Sequence, residues 1–503
     1  MYMLKVCPSA TSWRLQRVLT SCGTGESYRH ATTISTLSDD VLLEIFDFCR
    51  ETLRYNSLPG WKWHLLVHVC RGWRQTIFES PHRLNLRILC TYGTPVRKDL
   101  GIWPPAFPIA ISYGRPGDGV RPNDEDNVIA ALEHPNRVCH LWVDITGSLL
   151  GRMVTVMQEP FPVLTCLFMY SKDGNAPVLP GGFLGGSAPC LQTIYLDRIP
   201  FPALPTLLLS TSDLVVLSLR DIPRTGYVSP EAMVACLAAL PKLESLIIMF
   251  QSATPRRNRI RPPPVTQTVL PALAGVEFTG ASEYLEDLVF RIDSPQLDVI
   301  FIYYLDQFVD LQAAQVSEFI GRSLGPKLTL VRHAEVTFSS DSVVFEICRH
   351  GIRPTPDWRP AATMIPCDGI DRQVSQIAQV LSQYSATLSN VVHLELKVDE
   401  LEGDHELEGM DDVEWLHLFH QFSAVQTLYV SWELAGSVAL ALEDITGEMV
   451  AEVLPFLDYI FLEDQPASSI EEFVAARRLS DRPVTVVKTH KEFIERLESY
   501  VSK

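Results

Sequence analysis

A chain of 503 residues is too long for one compact core, so its length favours two to four domains or one elongated repeat array. Hydrophobic residues at 47% and charged residues at 20% describe a folded chain, and a formal charge of −18 argues against nucleic acid as the main partner, because phosphate binding needs a basic surface. No run of eighteen uninterrupted apolar residues occurs, so no membrane span is expected. Eleven cysteines lie scattered without a C-x-x-C pair. An odd count in a long chain reads as buried free thiols in a reducing compartment, cytoplasm and/or nucleus.

Residues 1–33 carry Lys5, Arg14, Arg17 and several Ser and Thr before the first acid, Glu26. Such a composition suits a disordered tail or a mitochondrial transit peptide, and the rest of the chain favours the tail. The first helix is expected after Ser38, an N-cap residue, with Asp39 and Asp40 in the first turn, where the helix dipole favours negative charge. Val41, Leu42, Ile45 and Phe46 follow at spacings of three and four, an apolar stripe. After the breaker-rich "ETLRYNSLPGWKW", the stretch "LLVHVCRGWRQTIF" (65–78) places Leu66, Val69, Trp73 and Ile77 on one face of a second helix, which Pro81 ends. Helices this short cannot bury their apolar faces alone and need a third element or a partner chain.

"LSDDVLLEIF" and "VCRGWRQTI" together resemble the opening and closing segments of an F-box, over residues 34–82. Two features depart from the family: Ser38 stands where proline is usual, and the gap between Phe46 and Val69 is longer. The resemblance implies a helical module that binds the Skp adaptor, and through it cullin. Its adaptor-binding set is Leu37, Val41, Leu42, Ile45, Phe46, Val69, Cys70 and Trp73. Within that set Leu37, Val41, Leu42 and Ile45 would offer exposed apolar surface, and Val69 and Trp73 would hold the module together.

Residues 83–137 read as a linker or cap, with short strands in "LNLRIL" and "FPIAISY". From Val138 onward an apolar triplet at i, i+3 and i+5 recurs seven times, in "VCHLWV", "LTCLFM", "LQTIYL", "LVVLSL", "LESLII", "LAGVEF" and "LDVIFI". Successive spacings are 26, 27, 23, 29, 30 and 24 residues. Three more triplets begin at Val391, Val425 and Leu457. The pattern L-x-x-L-x-L at this period is that of leucine-rich repeats: the last two apolar residues alternate along a short strand and point into the core, and the first sits on the turn leading into it. Connectors such as "SPEAMVACLAAL", with Ser229 as N-cap and Pro230 at the first helical position, read as helices, as does "SEYLEDLVFRI" after Ser282. The Asn or Cys usual three residues after the last Leu is replaced by Ile199 and Ile222, so the repeats are irregular.

The expected fold class is therefore α/β: a small N-terminal helical module, then an irregular leucine-rich-repeat solenoid with a parallel sheet on the inner face and helices outside. Its parts are 138–303 for the regular solenoid, 304–390 for irregular repeats with an insertion at "RHGIRPTPDWRPAATMIPCDG", 391–490 for C-terminal repeats and 491–503 for a tail. A helical module of this kind before "SPHRLNLRI" and irregular repeats resembles the large F-box family of mushroom-forming (basidiomycete) fungi.

Catalytic motifs are absent: no P-loop, G-x-S-x-G, H-E-x-x-H or strand-linked G-x-G-x-x-G occurs. "PGGFLGGSAP" (180–189) lacks the Lys of a phosphate cradle and reads as a flexible loop. The thirteen histidines show no metal-ligand spacing, with Glu414, His417 and His420 read as one surface helix, so neither metal nor cofactor is expected. "DELEGDHELEGMDDVE" (399–414) reads as a solvated acidic loop, without the spacing of a calcium site. Arg256, Arg257, Arg259 and Arg261 on the proline-rich "PRRNRIRPPP" are candidate partner-binding residues, since guanidinium pairs carboxylates in two-point fashion. The expectation is a substrate receptor of a ubiquitin ligase rather than an enzyme, with a target protein held by the repeats; a repeat scaffold whose front module engages no ligase is the alternative.

Overall fold

The computed structural model describes residues 37–52, 63–80, 83, 87–91, 94–101, 103–114, 122–174, 176–253, 267–305, 314–328, 332–348, 360–367, 369–384, 388–399, 412–443, 452–463 and 470–489. The N-terminal tail, Arg256, Arg257, Arg259 and Arg261, and the acidic run from 400 to 411 lie outside them.

In chain order the strands are β1 (Ile88–Cys90), β2 (Ile109–Tyr113), β3 (Val138–Ile145), β4 (Cys166–Ser171), β5 (Thr193–Asp197), β6 (Val216–Ile222), β7 (Ser245–Phe250), β8 (Thr268–Val269) and β9 (Gly275–Gly280). They continue as β10 (Ile292–Asp293), β11 (Val299–Tyr304), β12 (His333–Phe338), β13 (Ser342–Cys348), β14 (Ala361–Pro366), β15 (His393–Val398), β16 (Thr427–Val430), β17 (Tyr459–Glu463) and β18 (Thr485–Thr489). Strands β8 and β10 pair apart, and the other sixteen form one sheet in the order β1-β2-β3-β4-β5-β6-β7-β9-β11-β14-β13-β12-β15-β16-β17-β18. Every pairing is parallel except those of β13 with β12 and with β14.

The triplets build this sheet. Their middle residues stand in register as one ladder, Leu141–Leu167–Ile194–Leu217–Leu246–Val276–Ile300, and resume as Leu394–Leu428–Ile460. All are buried, as are the first and last members of each triplet. Each such Leu, Ile or Val contributes roughly 1.5–3 kcal/mol when taken out of water, and none can do so without the neighbouring repeat above it. The first residue of the triplet closes a turn: Leu164, Leu191, Leu214, Leu243, Leu273, Leu297, Val391 and Leu457 donate their N–H groups to the carbonyl three residues back. Backbone bonds between repeats do what the missing Asn side chain would do: Lys172 N–H reaches Ile145 O, Arg198 N–H reaches Arg220 O and Gln251 N–H reaches Ile222 O.

Connectors cover the face to which the ladder points. Helix Pro230–Leu237 starts as its sequence dictates, the Ser229 hydroxyl accepting from Ala232 N at 3.3 Å. Helix Ser282–Val289 begins one residue earlier than expected, with Ser282 inside its first turn and Leu285, Leu288 and Val289 buried. The glycine-rich 180–189 stretch is a packed turn rather than a flexible loop. Phe183 and Leu184 are fully buried, and at Gly185 (φ 62°) a Cβ would come within 2.5 Å of Pro160 N, so only glycine fits.

Between 304 and 390 the period fails but the sheet does not. After β11 the chain runs through helix Ala314–Leu328 to β12, which lies three positions beyond, then doubles back through β13 to β14 beside β11. The stretch expected to interrupt the solenoid thus contains β14, the strand that joins it to the first run of repeats. A strand that extends the sheet against the chain direction places its apolar residues at no fixed period, which is why repeat searching passes over it.

Candidate functional site: the front module and the open face of the sheet

The front module is helix Asp39–Thr52, a 3-10 turn Trp63–His68 and helix Arg71–Glu79. The expected single helix over 65–78 is thus two pieces. Cys70 separates them, its sulfur accepting from Trp73 N at 3.4 Å as N-cap of the second. Leu42, Leu43 and Phe46 are buried, whereas Val41 and Ile45 are 45% and 36% exposed. The Phe46 and Trp73 rings meet edge to face at 4.8 Å. Polar bonds fix the angle between the helices: Thr76 Oγ1 donates to Asp39 Oδ1 at 2.9 Å, and Arg83 pairs with Asp40 at 2.9 Å and Glu44 at 2.6 Å. Phe78 then carries the module onto the start of the sheet, its ring 5.9 Å from Trp103 and 5.3 Å from Phe107.

Two assignments within the module change. Leu42, expected on the exposed surface, belongs to the core beside the buried Phe46, and Val69, at 57% exposed, does not hold the module together. Leu37 and Trp73 are half-buried and Cys70 is exposed. Five apolar residues within Val41–Phe46 exceed one face of a 3.6-residue helix, so pattern alone does not say which edge turns outward.

The second candidate is the sheet face opposite the buried ladder. Trp142, Phe168 and Tyr195 stand in register on β3, β4 and β5. The Phe168 and Tyr195 rings stack at 5.8 Å, Tyr170 lies 4.8 Å from Tyr195, and Trp142 5.8 Å from Tyr170. Arg220 sits 5.7 Å over Tyr195 and pairs with Glu277 at 3.1 Å. Burial raises the Asp197 carboxyl above its ordinary range, and the nearby Asp221 charge adds to this against the pull of Arg198. All four rings are half-buried, so a row of aromatic edges faces solvent. A second aromatic pair, Tyr429 and Phe461, stacks at 4.6 Å on β16 and β17.

Between the aromatic stretches the same row holds carboxylates: Glu346 of β13 opposite Glu335 of β12, and Glu335 beside Glu395 of β15. His333 Nε2 lies 3.3 Å from Glu395 Oε2, and Lys397 Nζ lies 2.9 Å from Glu395 and 3.6 Å from Glu335. Burial works to raise the Glu395 carboxyl, but the His333 hydrogen bond and the Lys397 charge outweigh it and hold it below its ordinary range. Histidine spacing along the chain does not show this cluster, because its residues come from strands sixty residues apart. The legible signal is His-x-Glu, present in both "HAEVTF" and "HLELKV", which puts the two residues on one strand face. The Glu414–His417–His420 helix brings no such group together: His417 Nδ1 lies 3.8 Å from Glu414, and His420 is exposed beyond the helix end.

No family model matches the chain, and no curated protein matches it. Among solved structures, the leucine-rich repeat-containing protein LegL7 from Legionella pneumophila is similar over 80% of this chain and 99% of its own, at 10% identity and a TM-score of 0.25. No helix of the described residues is long and apolar enough to cross a membrane.

Proposed function

We propose that the chain is a substrate-recognition subunit of an SCF-type cullin-RING ubiquitin ligase, with the front module docking to the Skp adaptor and the open sheet face holding a target protein. The observation that carries the reading is the outward placement of Val41 and Ile45 on a helix where Leu42, Leu43 and Phe46 are buried. Aliphatic surface of this kind, in a module with an F-box-like sequence, suits a partner helix better than solvent. The solvent-facing aromatic row supplies large, rigid side chains of the sort that anchor protein interfaces. The mechanism would be proximity: tethering raises the effective concentration of the target near the ubiquitin carrier, and the chain needs no catalytic residue of its own.

The test is capture of the Skp adaptor by the full chain beside a Val41→Asp/Ile45→Asp variant. Both positions are exposed, so the variant should keep its fold and lose capture by at least tenfold. A second reading, a repeat scaffold that engages no ligase, draws on exposed Val69 and Cys70, which sit apart from the packing that the F-box pattern implies. Absence of capture by the intact, folded chain selects that reading.

A further inference from the structure

We propose that His333, Glu335 and Glu395 form a binding site for a divalent transition-metal ion of the zinc class, clipping β12 to β15. This site does not rest on the ligase reading. One ligand atom from each residue lies within 4.8 Å of the others, and the His333 and Glu395 side chains are only 9% and 11% exposed. In a tetrahedral zinc site with bonds near 2.0 Å, ligand atoms stand roughly 3.3 Å apart, so rotamer adjustment alone closes the gap. The three side chains stand on one face of adjacent parallel strands: His333 is in register with His393, and Glu335 with Glu395. That backbone arrangement holds the ligands without any loop to order.

Electrostatics points to a dication. Glu335 and Glu395 lie side by side, and Glu346 faces Glu335 from β13. Like charges directly opposite across strands destabilise a sheet, and buried charge needs compensation. The Lys397 ammonium balances one of the two ligand carboxylates; a dication beside a neutral imidazole balances both. Lys397 is 43% exposed, so its flexible stem can carry the ammonium out to water when a metal arrives. The imidazole selects zinc-class ions over calcium or magnesium, which take oxygen donors, and water completes the fourth position. Lys397 is thus a built-in competitor for the site.

The location gives the clip a purpose. Strand β12 is the outer strand of the reversed hairpin, and β15 starts the second run of repeats, so the metal would bind the two where chain order and strand order part.

The experiment takes the full chain, stripped with chelator, and titrates zinc by calorimetry against a competing chelator. Expected is one site whose affinity falls at least tenfold in Glu395→Gln and in His333→Asn, and rises severalfold in Lys397→Met. Zinc should raise the melting temperature of the unsubstituted chain and of Lys397→Met, but not of the two ligand variants. Equal zinc binding by the unsubstituted chain and Glu395→Gln would mean an adventitious surface ion only and would overturn the proposal. So would weaker binding in Lys397→Met, a result that decides even if His333→Asn fails to fold.

Discussion

Glu286 reaches from helix Ser282–Val289 to the first turn of helix Ala314–Leu328, where its two oxygens accept from Gln315 N at 3.0 Å and Val316 N at 2.9 Å. It satisfies donors that a helix start leaves open. Burial nevertheless pushes its carboxyl up to about 6, against the pull of those two bonds. A folded pKa above the unfolded value means that the folded chain holds the proton more tightly. Its contribution is therefore largest below about pH 4.5 and is lost as pH rises through 6, a change on the order of 2 kcal/mol. His140 acts in the opposite direction. Burial, helped by the Arg87 charge, lowers its imidazole to about 4, so stability present above pH 6.5 is lost as pH falls towards 4. The two effects oppose each other in the intact chain. Urea unfolding of Glu286→Gln should show a steeper loss of stability between pH 6 and pH 4.5 than the unsubstituted chain; identical slopes would rule out a titrating Glu286.

At the scale of the element, the first helix divides its apolar residues between two tasks. Leu42, Leu43 and Phe46 are buried, Phe46 against the Trp73 ring, and Val41 and Ile45 remain outside. An Asp at position 42 would bury an unpaired carboxylate, which costs several kcal/mol. Leu42→Asp should therefore abolish protection from hydrogen exchange across Asp39–Glu79 while β3–β11 keep theirs, because that core is built by the repeat ladder. Loss of protection in the sheet as well would show that module and repeats fold as one unit. The repeat strands were legible from their triplets, since an alternating apolar pair has one way to face a core and the same pair recurs at every turn of the coil. The helix boundary at Cys70 was not, because a 3-10 turn followed by an α-helix preserves nearly the same apolar spacing as one continuous helix.

For the whole molecule the decisive element is β13. Among the described strands it lies between β14, beside the last strand of the first run, and β12, beside β15 at the start of the second, and both its pairings are antiparallel. Repeat arrays are stabilised by nearest-neighbour interfaces, so a weak interface divides them. Phe345 lies mid-strand and buried, opposite Val336 on one side and Thr363 on the other. Proline there removes a ladder donor from a central strand and leaves its partner carbonyl unsatisfied, which should cost about 1–3 kcal/mol. In Phe345→Pro, calorimetry should resolve two melting transitions, one for each run, where the intact chain gives transitions closer together or merged. An unchanged single transition would show that contacts between helices, not β13, couple the two runs.

The sequence by itself determined which residues face the core of the repeats, because burial of an apolar ladder at a fixed period has one solution, and it determined that the front is a separate helical pattern. Only the tertiary structure decided which edge of the first helix is left outward, since six consecutive residues too apolar for one face leave that choice to whatever packs against them. The tertiary structure also decided that the two runs are one sheet and that His333, Glu335 and Glu395 meet. Those facts depend on a hairpin that reverses strand order, and neighbours made by reversal have no period along the chain.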